Sequence, residues 1–107
     1  MAYDEDLASR LRELLSGEAG LSEKKMFGGL AFLINGNMAI AASGQGGILV
    51  RSDPAQAVPA GASLAIMRGR PMDGWLRVDS DRLRTKRELA RWARIGAGFA
   101  RSLPPKR

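Results

Sequence analysis

Apolar residues recur along this chain first at helical spacing, then at strand spacing, then at helical spacing again. Near the start, Leu7, Leu11, Leu14 and Leu15 fall on one stripe of a helix turning about 100° per residue. The pattern predicts a first helix over Asp4–Ser16. Asp4, Glu5 and Asp6 stand at the end where the helix dipole favours carboxylates. Gly17 supplies a stop after the stripe.

The middle of the chain reads as strands. Lys25–Ile34 is apolar on both alternating faces, with Met26, Leu30, Phe32 and Ile34 on one and Phe27, Ala31 and Leu33 on the other. Such a strand is expected inside a sheet and covered. Asn35-Gly36 then separates it from Asn37–Ala42. Asn-Gly between two apolar runs predicts a two-residue hairpin turn, because both positions must take positive φ. Ser43–Gly47 is a looser, Gly-rich turn, and Gly47–Arg51 a third, short strand. Asp53 and Pro54 are placed to cap and begin a helical turn. Ser63–Met67 gives a fourth strand, Arg68–Gly74 a loop holding Pro71, and Trp75–Val78 a fifth strand.

Thr85 and Glu88 have the spacing of a capping box; Asp79 or Ser80 would cap an earlier start. Beyond them Leu89, Trp92, Ala93, Gly96, Phe99, Ala100 and Leu103 form an apolar stripe at helical period, ended by Pro104-Pro105. Helix, about five antiparallel strands and a long helix make an α+β domain with the helices packed on one sheet. With 107 residues, the chain is expected to be a single domain spanning residues 1–107.

Composition narrows the chemistry. The sequence contains no Cys and no His. Disulfides, a thiol nucleophile, an imidazole base and the usual zinc sites are therefore excluded. Ser hydroxyls have no His to activate them, so no catalytic residue is assigned and no enzyme activity is expected. No small-molecule ligand is evident. Asp73, Asp79 and Asp81 lie among Arg70, Arg77, Arg82 and Arg84, which disfavours a divalent cation there; no metal and no cofactor is expected. The start is acidic rather than basic and apolar, unlike a signal peptide. No apolar run approaches a membrane span. The expectation is a soluble, cytoplasmic protein with no membrane partner.

The charge is unevenly placed. Of 17 basic and 11 acidic side chains, residues 1–67 hold five basic and seven acidic, and residues 68–107 the rest, so a net +6 resolves into −2 and +8. On a helical projection Arg84, Arg87, Arg91, Arg94 and Arg101 cluster opposite Trp92 and Phe99. Arg68 and Arg70 form a second basic group in the preceding loop. A solvated helix face accounts for the Arg cluster. The functional alternative is a surface for nucleic acid or another anionic partner. Arginine outnumbers lysine thirteen to four, and arginine pairs bidentately with phosphate. However, the aromatic residues lie on the apolar side, unlike a base-stacking platform.

Several glycines invite a reading. Gly28-Gly29 would weaken an apolar strand and so mark a close backbone approach, expected to come from a helix packed over the strand. Gly44-Gln45-Gly46-Gly47 lacks the Lys-Ser/Thr ending and the helix of a phosphate loop, and reads as a turn. Gly96 falls on the apolar stripe, as tight packing requires. Gly98 falls on the other side, with no evident reason.

The run Met26-Phe27-Gly28-Gly29-Leu30-Ala31-Phe32-Leu33-Ile34-Asn35-Gly36-Asn37-Met38 resembles the opening signature of the TfoX/Sxy family N-terminal domain. Ile48-Leu49-Val50-Arg51, Met67-Arg68-Gly69-Arg70-Pro71-Met72, Gly74-Trp75-Leu76-Arg77-Val78 and Leu89-Ala90-Arg91-Trp92 follow in the order that family shows. The resemblance spans residues 8–103, with Met26, Phe27, Gly28 and Gly29 as a structural signature. It implies an α+β domain of secretion-chaperone type, a bacterial origin and no catalytic residues. Full-length relatives are competence regulators acting with a cyclic-AMP receptor protein and carry a further C-terminal helical domain. Leu30-Ala31 stands where those regulators commonly have an aromatic residue and Gly. The resemblance therefore implies a stand-alone regulatory or interaction module with a protein partner, self-association as a homodimer included. A small DNA- or RNA-binding regulator using the Arg face is the alternative.

Overall fold

Asn35 and Gly36 both take positive φ, 53° and 81°, the backbone that a tight hairpin turn imposes. They join two strands of a sheet in a computed structural model that describes residues 3–26 and 28–105. The elements run α1 (Glu5–Leu15), β1 (Leu21–Met26), β2 (Gly29–Ile34), β3 (Asn37–Ala42), β4 (Ile48–Arg51), β5 (Ser63–Met67), β6 (Arg70–Val78) and α2 (Lys86–Ser102), with a 3-10 turn at Ser80–Arg82. The strands form one antiparallel sheet in the order β1-β2-β3-β4-β6-β5.

Both helices begin on side-chain caps. The Asp4 carboxylate accepts from the Asp6 and Leu7 amides at 3.0 and 3.1 Å. At α2 the Thr85 hydroxyl accepts from the Glu88 amide, and the Glu88 carboxylate accepts from the Thr85 amide, each at 3.1 Å. The capping box read from the sequence is thus present.

Among the described residues the sheet has six strands rather than five. The expected single strand over Lys25–Ile34 is two strands, because Gly28 adopts φ 77° and turns the chain back. Phe27 lies outside the described residues. The preceding segment Leu21–Lys25 carries no apolar strand pattern: four of its five residues are polar and exposed, as suits a sheet edge. The expected loop Arg68–Gly74 is also mostly strand. Only Arg68 and Gly69 turn, with φ 54° and 77°. Pro71 pairs with Ile66 of the edge strand β5, beyond the stretch of β6 that β4 reaches. A missing amide is tolerated there. Asp53 and Pro54 start one turn, with the Asp53 carboxylate accepting from Ala55 at 2.9 Å, and no helix follows.

α1 and α2 lie on one face of the sheet. Phe32, Ile40, Val50 and Leu76 are successive partners across four strands. With Leu11 and Leu89 they are at most 2% exposed. The approach of α2 is set by Gly96: a Cβ there would collide with the Ala39 carbonyl oxygen and lie 3.3 Å from Val50 Cγ1. Ala39 is available because the β2–β3 pairing slips between Phe32 and Leu33, leaving Ala39 unpaired. A bulge in β3 and a glycine in α2 therefore meet, and the helix sits close enough to bury Trp92, Ala93 and Ala97. Asn37, buried beside that end of the helix, donates from its amide to the Pro104 carbonyl at 2.9 Å.

Gly28-Gly29 are also a point of close approach, but not to a helix. A Cβ on Gly29 would strike the Ala42 carbonyl oxygen, and one on Gly44 would lie 2.6 Å from the Gly28 carbonyl oxygen. The contact is between the β1–β2 turn and the residues at and just after the end of β3, which requires Gly29 and Gly44, while Gly28 is required by its positive φ.

Candidate interaction surfaces

Arginine does two kinds of work in this molecule. Some arginines tie elements together. Arg12 on α1 holds Glu23 of β1 through two hydrogen bonds, 2.6 and 2.8 Å. That pairing lowers the Glu23 carboxyl below, and raises the Arg12 guanidinium above, their ordinary pKa values. Arg10 donates to the Leu83 and Thr85 carbonyls at 2.9 and 3.4 Å, fixing the entry to α2. Arg77 donates to the Gly46 carbonyl at 2.8 Å across the β3–β4 turn and stands 3.6 Å from Asp79. The Arg51 guanidinium lies 4.8 Å from the Trp75 ring centre and 5.5 Å from that of Phe99, an arrangement that suits cation–π attraction.

The arginines of the expected anionic-partner face differ in their partners. Arg87, Arg91, Arg94 and Arg101 are exposed on α2. Arg84 precedes the helix, because Thr85 is its cap. Arg101 pairs with Glu18. Arg91 leans over the Trp92 ring at 4.7 Å. Arg87 and Arg94 have no hydrogen-bond or ion-pair partner among the described residues. Arg68 and Arg70 are exposed at the tip of the β5–β6 hairpin. They stand on a different element from the arginines of α2.

The outer face of the sheet was not read from the sequence as a surface. Lys24, Ala31, Ala41, Leu49 and Arg77 are successive cross-strand partners, and Leu33 opposes Met38. They alternate with the residues facing the helices. Ala31 and Ala41 are buried and Leu33, Met38 and Leu49 half-buried. The loop after β4 does not cover them: Ser52, Asp53, Gln56 and Pro59 line a cavity of about 340 Å³ with Ile95 and Phe99 of α2. The signal for this face was the doubly apolar β2, whose second face was expected to be covered.

Among the described residues, no group of three His, Cys, Asp or Glu side chains is placed to hold a metal ion. No described helix is long and apolar enough to cross a membrane. The family model of the TfoX N-terminal domain matches residues 13–100. No curated protein and no solved structure matches the chain.

Proposed function

The chain belongs to the TfoX N-terminal domain family, and from that premise we propose that it is a non-enzymatic regulatory module that works by binding protein, a second copy of itself included. The observation that carries this reading is the outer face of the sheet. Ala31, Leu33, Met38, Ala41 and Leu49 form an apolar centre, with Lys24 and Arg77 at its rim. A two-layer fold covers one face of its sheet with helices and leaves the other to a partner or to water. An apolar centre with a charged rim is the anatomy of an interface. An isologous pair buries the same patch twice.

The absence of His and Cys supports a role without catalysis. Affinity capture from the native cell, with and without nuclease, tests the reading. Protein partners that persist after nuclease are expected; partners that all vanish contradict it.

Exposed Arg84, Arg87 and Arg94 favour a second reading, a small DNA- or RNA-binding regulator. Its test is fluorescence polarisation against duplex DNA at two salt concentrations. Phosphate binding is strongest at low salt because it releases counterions. The protein-binding account expects little binding even there, and strong, salt-sensitive binding lost in Arg87→Glu would favour the second reading.

A further inference from the structure

A groove runs between α1 and α2 on the side of α2 next to Arg94. Two cavities of about 260 and 230 Å³ open along it and share Leu14. Its floor is apolar: half-buried Leu14 and Ala90, then Ala93 and Ala97. On the α2 side stand Lys86 and Arg94, and on the α1 side Glu13 and Arg10, the latter held by the Leu83 and Thr85 carbonyls. Arg94 and Glu13 have no side-chain partner among the described residues, whereas Arg101 and Glu18 close one end by pairing with each other.

We propose that this groove receives an amphipathic helix of a protein partner, with carboxylates along the flank that faces Arg94 and Lys86. The proposal rests on the reading of the chain as a protein-binding module but uses a surface separate from the outer sheet face. Three observations define the occupant. The floor offers alanines where a third helix can approach closely and a leucine for its apolar residues to meet. α2 presents 17 residues, about 25 Å of rigid wall, which suits a straight segment. Lys86 and Arg94, without partners among the described residues, call for carboxylates on the flank that meets them, while Glu13 beside Arg10 leaves the other wall mixed in charge and calls for a neutral flank. A nucleic acid fits poorly, since its phosphates gain nothing from an alanine floor.

The test uses the full chain and a fluorescent helical peptide of about 18 residues, with Leu along one stripe and Glu along one flank. A scrambled peptide of the same composition and a duplex DNA are the controls. Saturable binding of the helical peptide is expected, with the scrambled peptide at least about tenfold weaker. Ala90→Phe fills the floor without changing charge. It is expected to weaken the peptide about tenfold or more and to leave any DNA binding unchanged. Arg94→Glu, at an exposed position, is expected to weaken the peptide with no loss of thermal stability. The proposal is overturned if the peptide does not saturate, if the scrambled control binds as well, or if either variant binds the helical peptide like the parent. Should Ala90→Phe not fold by circular dichroism, Arg94→Glu decides alone. Light scattering separates the two surfaces: a parent chain that self-associates but does not bind the helical peptide removes the groove and leaves the sheet face standing, whereas variants that reject the peptide while self-associating like the parent are the expected result.

Discussion

Two glycines two residues apart in α2 have opposite environments. Gly96 faces the sheet, where a Cβ would overlap the Ala39 carbonyl oxygen. Gly98 has open space, with only an Arg101 nitrogen at 3.9 Å. Glycine inside a helix is less stable than alanine by about 1 kcal/mol. Gly98→Ala should therefore stabilise the protein by about 0.5–1 kcal/mol. Gly96→Ala should destabilise it by about 1–3 kcal/mol, because overpacking forces the helix off the sheet. Thermal melts of the two variants, shifted in opposite directions, would check this; equal shifts would refute the packing account. The periodicity of the stripe placed Gly96 correctly, since a buried position in a helix needs a reason to lack a side chain. Gly98 remains unexplained by any contact. Gly28-Gly29 were also recognised as a close approach, but the approaching group, the end of β3, was not legible. Their neighbour in space is set by a turn that the apolar run Met26–Ile34 disguised as continuous strand.

At the scale of elements, legibility followed burial. α1, α2 and the β2–β3 hairpin carry apolar faces or a turn dipeptide, and the sequence reading located them closely. β1 did not announce itself because Ser22, Glu23, Lys24 and Lys25 are polar and exposed at a sheet edge, where charge discourages further strand addition. The first half of β6 was hidden by Pro71, which only an edge pairing admits. What fastens β1 to the rest is in part Arg12–Glu23, with side chains 51% and 33% exposed. Its contribution is limited by solvent screening, and its pH dependence has a definite sign. The Glu23 carboxyl titrates below its ordinary range because Arg12 binds its charged form. The stabilisation is therefore present at neutral pH and lost as the pH falls through and below the usual carboxylate range. Glu23→Gln should melt slightly earlier than the parent at neutral pH, and the two should converge under acid conditions. A difference that persists in acid would show that the contact acts by packing and not by charge.

For the molecule as a whole, the sequence reading recovered the α+β class and the order of helix, sheet and helix. It could not recover which surfaces are left open. Helical projection gathers five arginines on one side, and the folded chain keeps four of them exposed on α2 but gives them different partners. Arg101 is paired, Arg91 lies over an aromatic ring, Arg84 precedes the helix, and Arg87 and Arg94 remain free among the described residues. Conversely, the apolar outer face emerges only from strand order, because cross-strand pairing is what brings Ala31, Ala41 and Leu49 into one row. A net charge of +6 therefore describes the chain better than it describes any one surface.

The central proposal, that the outer sheet face binds protein, is tested most directly in its self-associating form, by light scattering during size exclusion over a range of concentrations, on the parent and on Leu49→Glu. Leu49 is half-buried on the outer face, so a carboxylate there meets solvent in a monomer and an apolar surface in a dimer. The account predicts twice the mass of one chain for the parent and a folded monomer for the variant. A parent that stays monomeric at the highest concentration, or a variant that dimerises as well as the parent, would contradict it.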